Sequence, residues 1–311
     1  MTRKHVISLF AACATLVVSA NAQAKAQPEE TNSSPAIVVT GRRPMTEEKA
    51  REVVRRMARP IDGQLARFND PVCPLVIGFQ PEYEARVAER IRELAEAVGA
   101  GAGKEGCVNN LFVVVVDDGR GFVAELHRLH PEVFAGVSKR EFAALLNDAG
   151  AARSWTHTAQ TNSMGMIAAK PSPTYGSEPI KVGFQGSSIH FGDVNVLRVY
   201  ESSNIDPSVQ QAIGSAWVVL ETRSTFGKTL SQLADYAAVR GLAMVRPGDL
   251  GDVDTILALF EPGSDAAPAK LTEFDRAYLK SLYHVQARAW SQKQVRQMAD
   301  SIARESKQAA P

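Results

Sequence analysis

Apolar positions recur along this chain in two periods. From Pro81 to Val98, Val87, Ile91, Leu94 and Val98 share one face at three- and four-residue spacing; Pro81 opens the segment and Gly99 closes it, which predicts an amphipathic helix. Cys73–Phe79 is a short apolar run that reads as a strand, and Leu111–Val116, a continuous apolar run ended by Asp117-Asp118-Gly119, reads as a buried strand. Strand, helix, strand in this order predicts a βαβ unit. Upstream, Thr46 starts a helix with Glu47 and Glu48 in its first turn, ending before Pro60.

The later pattern predicts helices at Gly121–Leu129 and Ser138–Asn147, the second opened by a Ser138/Glu141 capping box. Trp155–Met166, Val194–Glu201 and Gln211–Leu220 read as strands, with a loop at Lys170–Pro179 and a turn at Asn204–Pro207. Thr229–Met244 reads as a helix capped by Thr229 and Gln232 and ending at Gly241. Val253–Phe260 is a short apolar segment, followed by a loop at Pro262–Pro268. Leu271–Tyr283 is a helix with Thr272 as cap and Asp275 at its third position, and Ser291–Lys307 is a closing amphipathic helix carrying Val295, Met298 and Ile302. The expected fold is α/β or α+β: a mixed sheet with packed helices and a helical C-terminal end. It forms one globular domain over 45–311, with a βαβ part over about 71–150 and a C-terminal part over about 151–311.

The first 22 residues have the pattern of a signal peptide: Arg3, Lys4 and His5, then apolar Val6–Ala20, then small-x-small sites at Ala20-Asn21-Ala22 and Ala22-Gln23-Ala24. The apolar run is about 15 residues, suited to a secretory segment and short for a membrane span. The expected location is periplasmic or secreted, with no membrane span in the mature chain. Residues 23–44 read as a disordered linker, polar over Lys25–Pro35. Cleavage removes two cations and takes the net charge from +1 to −1, a balance with no electrostatic footprint for nucleic acid. It also removes Cys13 and leaves Cys73 and Cys107, which an oxidising compartment would join.

Candidate chemistry is sparse, and no cofactor is implied. His127 and His130 stand three apart near a helix end, a spacing that can hold a metal but that a solvated helix end also explains. Gly99-Ala-Gly101-Ala-Gly103-Lys104-Glu105 has a trace of a phosphate loop, but Glu105 stands where a magnesium-binding hydroxyl belongs and the run follows a helix, so a flexible connector is expected. Asp117-Asp118 lies at the end of a strand, a place where α/β proteins bind ligands. His157, His190 and His284 are isolated in the sequence.

Ala234-Asp235-Tyr236-Ala237-Ala238-Val239-Arg240-Gly241-Leu242-Ala243-Met244, aligned on its glycine, resembles the frame of the metzincin motif His-Glu-x-x-His-x-x-Gly-x-x-His. Asp254–Phe260 resembles a Met-turn with Leu257 for the methionine, and Leu271–Tyr283 resembles the closing helix of these peptidases, so the resemblance spans about Pro71–Tyr283. It implies a zincin-like frame whose three ligand positions hold Ala234, Ala238 and Met244; alanine has no donor atom for zinc, so peptidase activity is not expected. Asp235, Tyr236 and Arg240 are then the candidate ligand-binding residues. A second short stretch, Ile37-Val38-Val39-Thr40-Gly41, resembles the segment by which TonB-dependent receptors pair with a strand of TonB. The expected function is that of a non-catalytic binding or interaction protein whose partner is an envelope protein or a small ligand. The alternatives are a hydrolase in which His157, His190 and Asp235 converge, and a TonB-linked accessory protein.

Overall fold

A computed structural model of the chain describes residues 44–148, 150–167, 199, 205–246, 251–261 and 267–308. In chain order the elements are α1 (Glu47–Met57), β1 (Arg67–Phe68), β2 (Pro74–Ile77), α2 (Pro81–Ala97), β3 (Leu111–Val116), α3 (Gly119–Leu129), a 3-10 turn η1 (Pro131–Phe134) and α4 (Lys139–Asn147). Then come β4 (Ala152–Thr161), β5 (Gln210–Glu221), the short α5 (Thr222–Thr225), α6 (Leu230–Leu242), a second 3-10 turn η2 (Ile256–Phe260), α7 (Glu273–His284) and α8 (Ser291–Gln308). The expected strand at Trp155–Met166 starts earlier and stops at Thr161. The predicted strand Val194–Glu201, the loop Lys170–Pro179, the signal segment and the Ile37–Gly41 run lie outside the described residues, Val199 excepted.

The sheet is mixed. β5 pairs in parallel with β3 (Leu111↔Ala216 to Val116↔Glu221) and with β1, while β2 pairs in parallel with β3. β4 runs antiparallel to β5 from Ala152↔Leu220 to Thr161↔Gln210. The register shifts after His157, where Gly214 is skipped; a β-carbon there would stand 3.1 Å from the His157 Nδ1. A glycine inside a strand pattern thus marks a bulge.

β3 is a run of apolar residues because both faces of the sheet are covered. Leu111, Val113 and Val115, with Ala216, Val218 and Leu220 of β5, face a large core shared with α1, α2, α6, α7 and α8. Val114 and Val219 face the opposite way, into a smaller core with Trp155, Val123 and Phe134. On that side aromatic rings stack in sequence: Phe112 on Trp217 at 4.2 Å, Trp217 on Trp155 at 5.5 Å, and Trp155 on Phe134 at 4.7 Å. The molecule is therefore a three-layer α/β arrangement with its helical C-terminal end in the larger core.

The βαβ unit is β2–α2–β3, and a disulfide joins Cys73, just before β2, to Cys107, just before β3. The glycine loop between α2 and β3 is the bed of this bridge. Gly103 lies where a β-carbon would meet the Cys107 Sγ at 2.5 Å, and its N–H donates to the Val72 carbonyl. Its small residues make room for the disulfide, so this segment is a packed connector.

Candidate functional site

Helix α6 carries the three residues singled out from the sequence. The Thr229/Gln232 capping box starts it, and every residue from Leu233 to Leu242 is buried. It packs against α2, against strands β3 and β5 of the sheet, and against η2. Gly241 does not end the helix as expected. It sits within the last turn, pressed against Leu111 of β3, and its φ is not positive.

Asp235 has no accessible surface. Its carboxylate accepts from Arg90 of α2 through Nε at 2.8 Å and Nη2 at 3.3 Å, and from the Leu271 N–H at 2.5 Å. These bonds tie α6 to α2 and to the start of α7, so the carboxylate is spent on the fold. The Asp235 bond also raises the Arg90 pKa.

Tyr236 and Arg240 stand one turn apart on another side of α6. Phe260 of η2 meets the Tyr236 ring edge-on at 4.7 Å, and Lys228 Nζ lies 5.8 Å from the Phe260 centroid. Burial pushes the Tyr236 pKa up; Arg240 acts in the opposite direction, and Glu261 and Asp148 add to the rise. The Arg240 Nε is buried with no hydrogen-bond partner.

The positions aligned with zinc ligands point into packed surroundings: Ala234 and Ala238 are 1% and 0% exposed, and Met244 is buried too. Among the described residues, no cluster of three or more His, Cys, Asp or Glu side chains could hold a metal ion. The other candidates separate. His127 packs on Phe142 at 4.1 Å and Phe134 at 5.3 Å, whereas His130 is exposed and pairs with Glu132 at 3.1 Å. Asp118 is the N-cap of α3, accepting from the Gly121 N–H at 2.8 Å. His157 sits beside Gly214, two residues along β4 from Trp155 in the smaller core, while Asp235 bonds to Arg90 and Leu271 on the helical side. His190 lies outside the described residues.

Sequence reasoning missed the cleft. A cavity of about 860 Å³ opens between the start of α1, the start of α7 and the last turns of α8. Buried Leu271, Phe274, Ala277 and Ile302 form its floor. Lys49, Lys270 and Arg276 stand around it, opposed by Asp252, Asp254, Glu273 and Glu305. Some of these charges are already paired: Lys49 with Asp252 at 3.1 Å and Glu305 with Lys280 at 3.1 Å. The hydrogen bond from Lys49 holds the Asp252 carboxyl below its ordinary value. Lys270 and Arg276 are exposed and form no ion pair among the described residues. The Thr46 and Thr272 caps bring two helix N-termini to the same opening. The only signal available in the sequence was those two capped helix starts, which nothing local places side by side. No family model, curated protein or solved structure matches the chain.

Proposed function

We propose that this chain is an exported protein that acts by binding, holding a small zwitterionic ligand such as a short peptide in the cleft between α1, α7 and α8. The observation that carries this reading is the cleft itself. Its volume of about 860 Å³ suits a small-molecule or peptide site, with an apolar floor and a rim that offers both signs of charge. Lys270 and Arg276 suit a carboxylate end, and Glu273 suits an ammonium end.

Export is supported by the basic, apolar, small-residue pattern of the first 22 residues and by the Cys73–Cys107 bridge, which an oxidising compartment maintains. A binding role is supported by the absence of donor atoms at Ala234 and Ala238 and by the engagement of Asp235 with Arg90 and Leu271. The chain order β5, α6, η2, α7 supports a degenerate zincin-like frame. The proposed ligand site includes no α6 residue and does not depend on that ancestry.

Calorimetric titration with a mixed-sequence tripeptide set tests the proposal. Binding is expected in the native chain and should be lost in Val253→Trp, which fills the cleft, and in Lys270→Glu/Arg276→Glu, which reverses the cationic rim. Cleavage of the peptides, read by mass spectrometry, would reject a binding role in favour of a hydrolase.

A further inference from the structure

Among the described residues, Arg240 is a buried cation whose Nε has no hydrogen-bond partner. Only 9% of its surface is accessible, its Nε is sealed from solvent without a partner, and its guanidinium makes no hydrogen bond or ion pair with a described residue. Arginine does not shed its charge in a protein, so burial cannot be relieved by deprotonation. Buried cations are ordinarily paired, and an unmet one marks a missing acceptor.

The surroundings define what would fit. One turn back on α6, Tyr236 is 6% exposed, and its hydroxyl has no protein hydrogen-bond partner among the described residues. Phe260 packs edge-on against that ring, with Lys228 beyond it. Two carboxylates lie in the same field, Asp148 and Glu261. Neither pairs with Arg240: the Asp148 Oδ1 accepts from the Gly150 N–H at 2.7 Å, and Glu261 is exposed. The Arg240 Nε is thus an unmet donor, one turn along the same rigid helix from Tyr236.

We propose that Arg240 and Tyr236 form a binding site for a single oxyanion, a carboxylate or phosphate group. The planar guanidinium matches two oxygens of such a group, and the hydroxyl donates to one of them or to a third. The site is separate from the α1–α7–α8 cleft, none of whose lining residues belongs to α6 or η2.

The test titrates the purified chain with inorganic phosphate and, separately, with succinate, in chloride buffer of matched ionic strength, following thermal unfolding and heat of binding. One ligand per chain and a saturable rise in melting temperature are expected with at least one of the two; a response to phosphate alone or succinate alone identifies the source of the oxyanion. Arg240→Gln should abolish the response. Tyr236→Phe should weaken it about tenfold, the loss of one charged-group hydrogen bond. Lys270→Gln/Arg276→Gln should leave it unchanged, which separates this site from the cleft. No saturable response beyond chloride, or a response that survives Arg240→Gln, overturns the proposal. If Arg240→Gln does not fold, the native titration and Tyr236→Phe still decide: full-strength binding in Tyr236→Phe that is lost in Lys270→Gln/Arg276→Gln places the anion in the cleft instead.

Discussion

Gly241 and Leu111 meet where α6 crosses β3: a β-carbon at 241 would lie 2.7 Å from the Leu111 Cδ1 and 3.0 Å from its Cγ. Glycine is a poor helix former, so its place in the last turn of α6 needs a packing reason, and this contact supplies one. Gly241→Ala gains helix propensity but must push Leu111, a fully buried strand residue, out of place. A net destabilisation of about 1–2 kcal/mol is expected from urea denaturation. Leu111→Val should relieve part of it in a double-mutant cycle. A stabilised Gly241→Ala variant would mean that α6 does not approach β3 so closely.

The Arg90–Asp235 pair joins α2 to α6 with one partner wholly inside and the other 32% exposed. Removing only the carboxylate, as in Asp235→Ala, strands Arg90 and the Leu271 N–H. A loss of about 2–3 kcal/mol is expected, below the range for a fully buried pair because Arg90 retains solvent. Arg90→Met/Asp235→Leu should recover much of that loss, since well-packed apolar side chains remove both charges together. An Asp235→Ala variant as stable as the native chain would show that this bond contributes nothing.

Asp275 gives a pH dependence of definite sign. Burial raises its pKa above 3.8, although the Thr255 hydroxyl, the Ile256 N–H and both donor groups of Thr272 favour the ionised form. Between 3.8 and the raised folded value, the native state holds the proton more tightly than the unfolded chain, so stability falls as pH rises through that interval. The stability of the native chain relative to Asp275→Asn should therefore decline from about pH 4 upward and level off above the folded pKa. Urea melts of the two proteins across this range make the comparison. A difference that grows with pH would show that the hydrogen bonds outweigh the burial.

The Cys73–Cys107 bridge spans 34 positions of sequence and closes the βαβ unit at its base. Cys73→Ala/Cys107→Ala should cost about 3–4 kcal/mol if the bridge acts mainly on the unfolded chain. Reduction of the native protein should produce a similar loss in thermal unfolding. An unchanged melting temperature in the presence of reductant would exclude a structural role for the bridge.

Much of the local architecture follows from short-range rules. The capping boxes at Ser138/Glu141, Thr229/Gln232 and Thr272/Asp275 are all formed, because each needs only residues three apart. The apolar run Leu111–Val116 is a strand covered on both faces, and Val87, Ile91 and Leu94 form the buried face of α2, because periodicity alone dictates those outcomes. The cysteine pairing was legible by elimination once Cys13 was assigned to the signal segment.

The roles of Asp235, Tyr236 and Arg240 were not legible in this way. Sequence placed them on one helix as a single polar group, but a helix points its side chains in different directions, and what each meets depends on distant segments. Asp235 finds Arg90, 145 residues away, whereas Arg240 finds no acceptor among the described residues. The cleft is likewise built from the starts of α1 and α7 and the end of α8, more than 200 residues apart along the chain at their extremes; Met45 already bonds to Ser306 across 261 positions. Sequence by itself determined most of the helices, the strands β2, β3 and β5, the capping boxes and the disulfide, since these depend on neighbours in the chain. Only the tertiary structure decided which polar groups are satisfied and where a cavity opens, because both depend on which remote surfaces the hydrophobic core brings together.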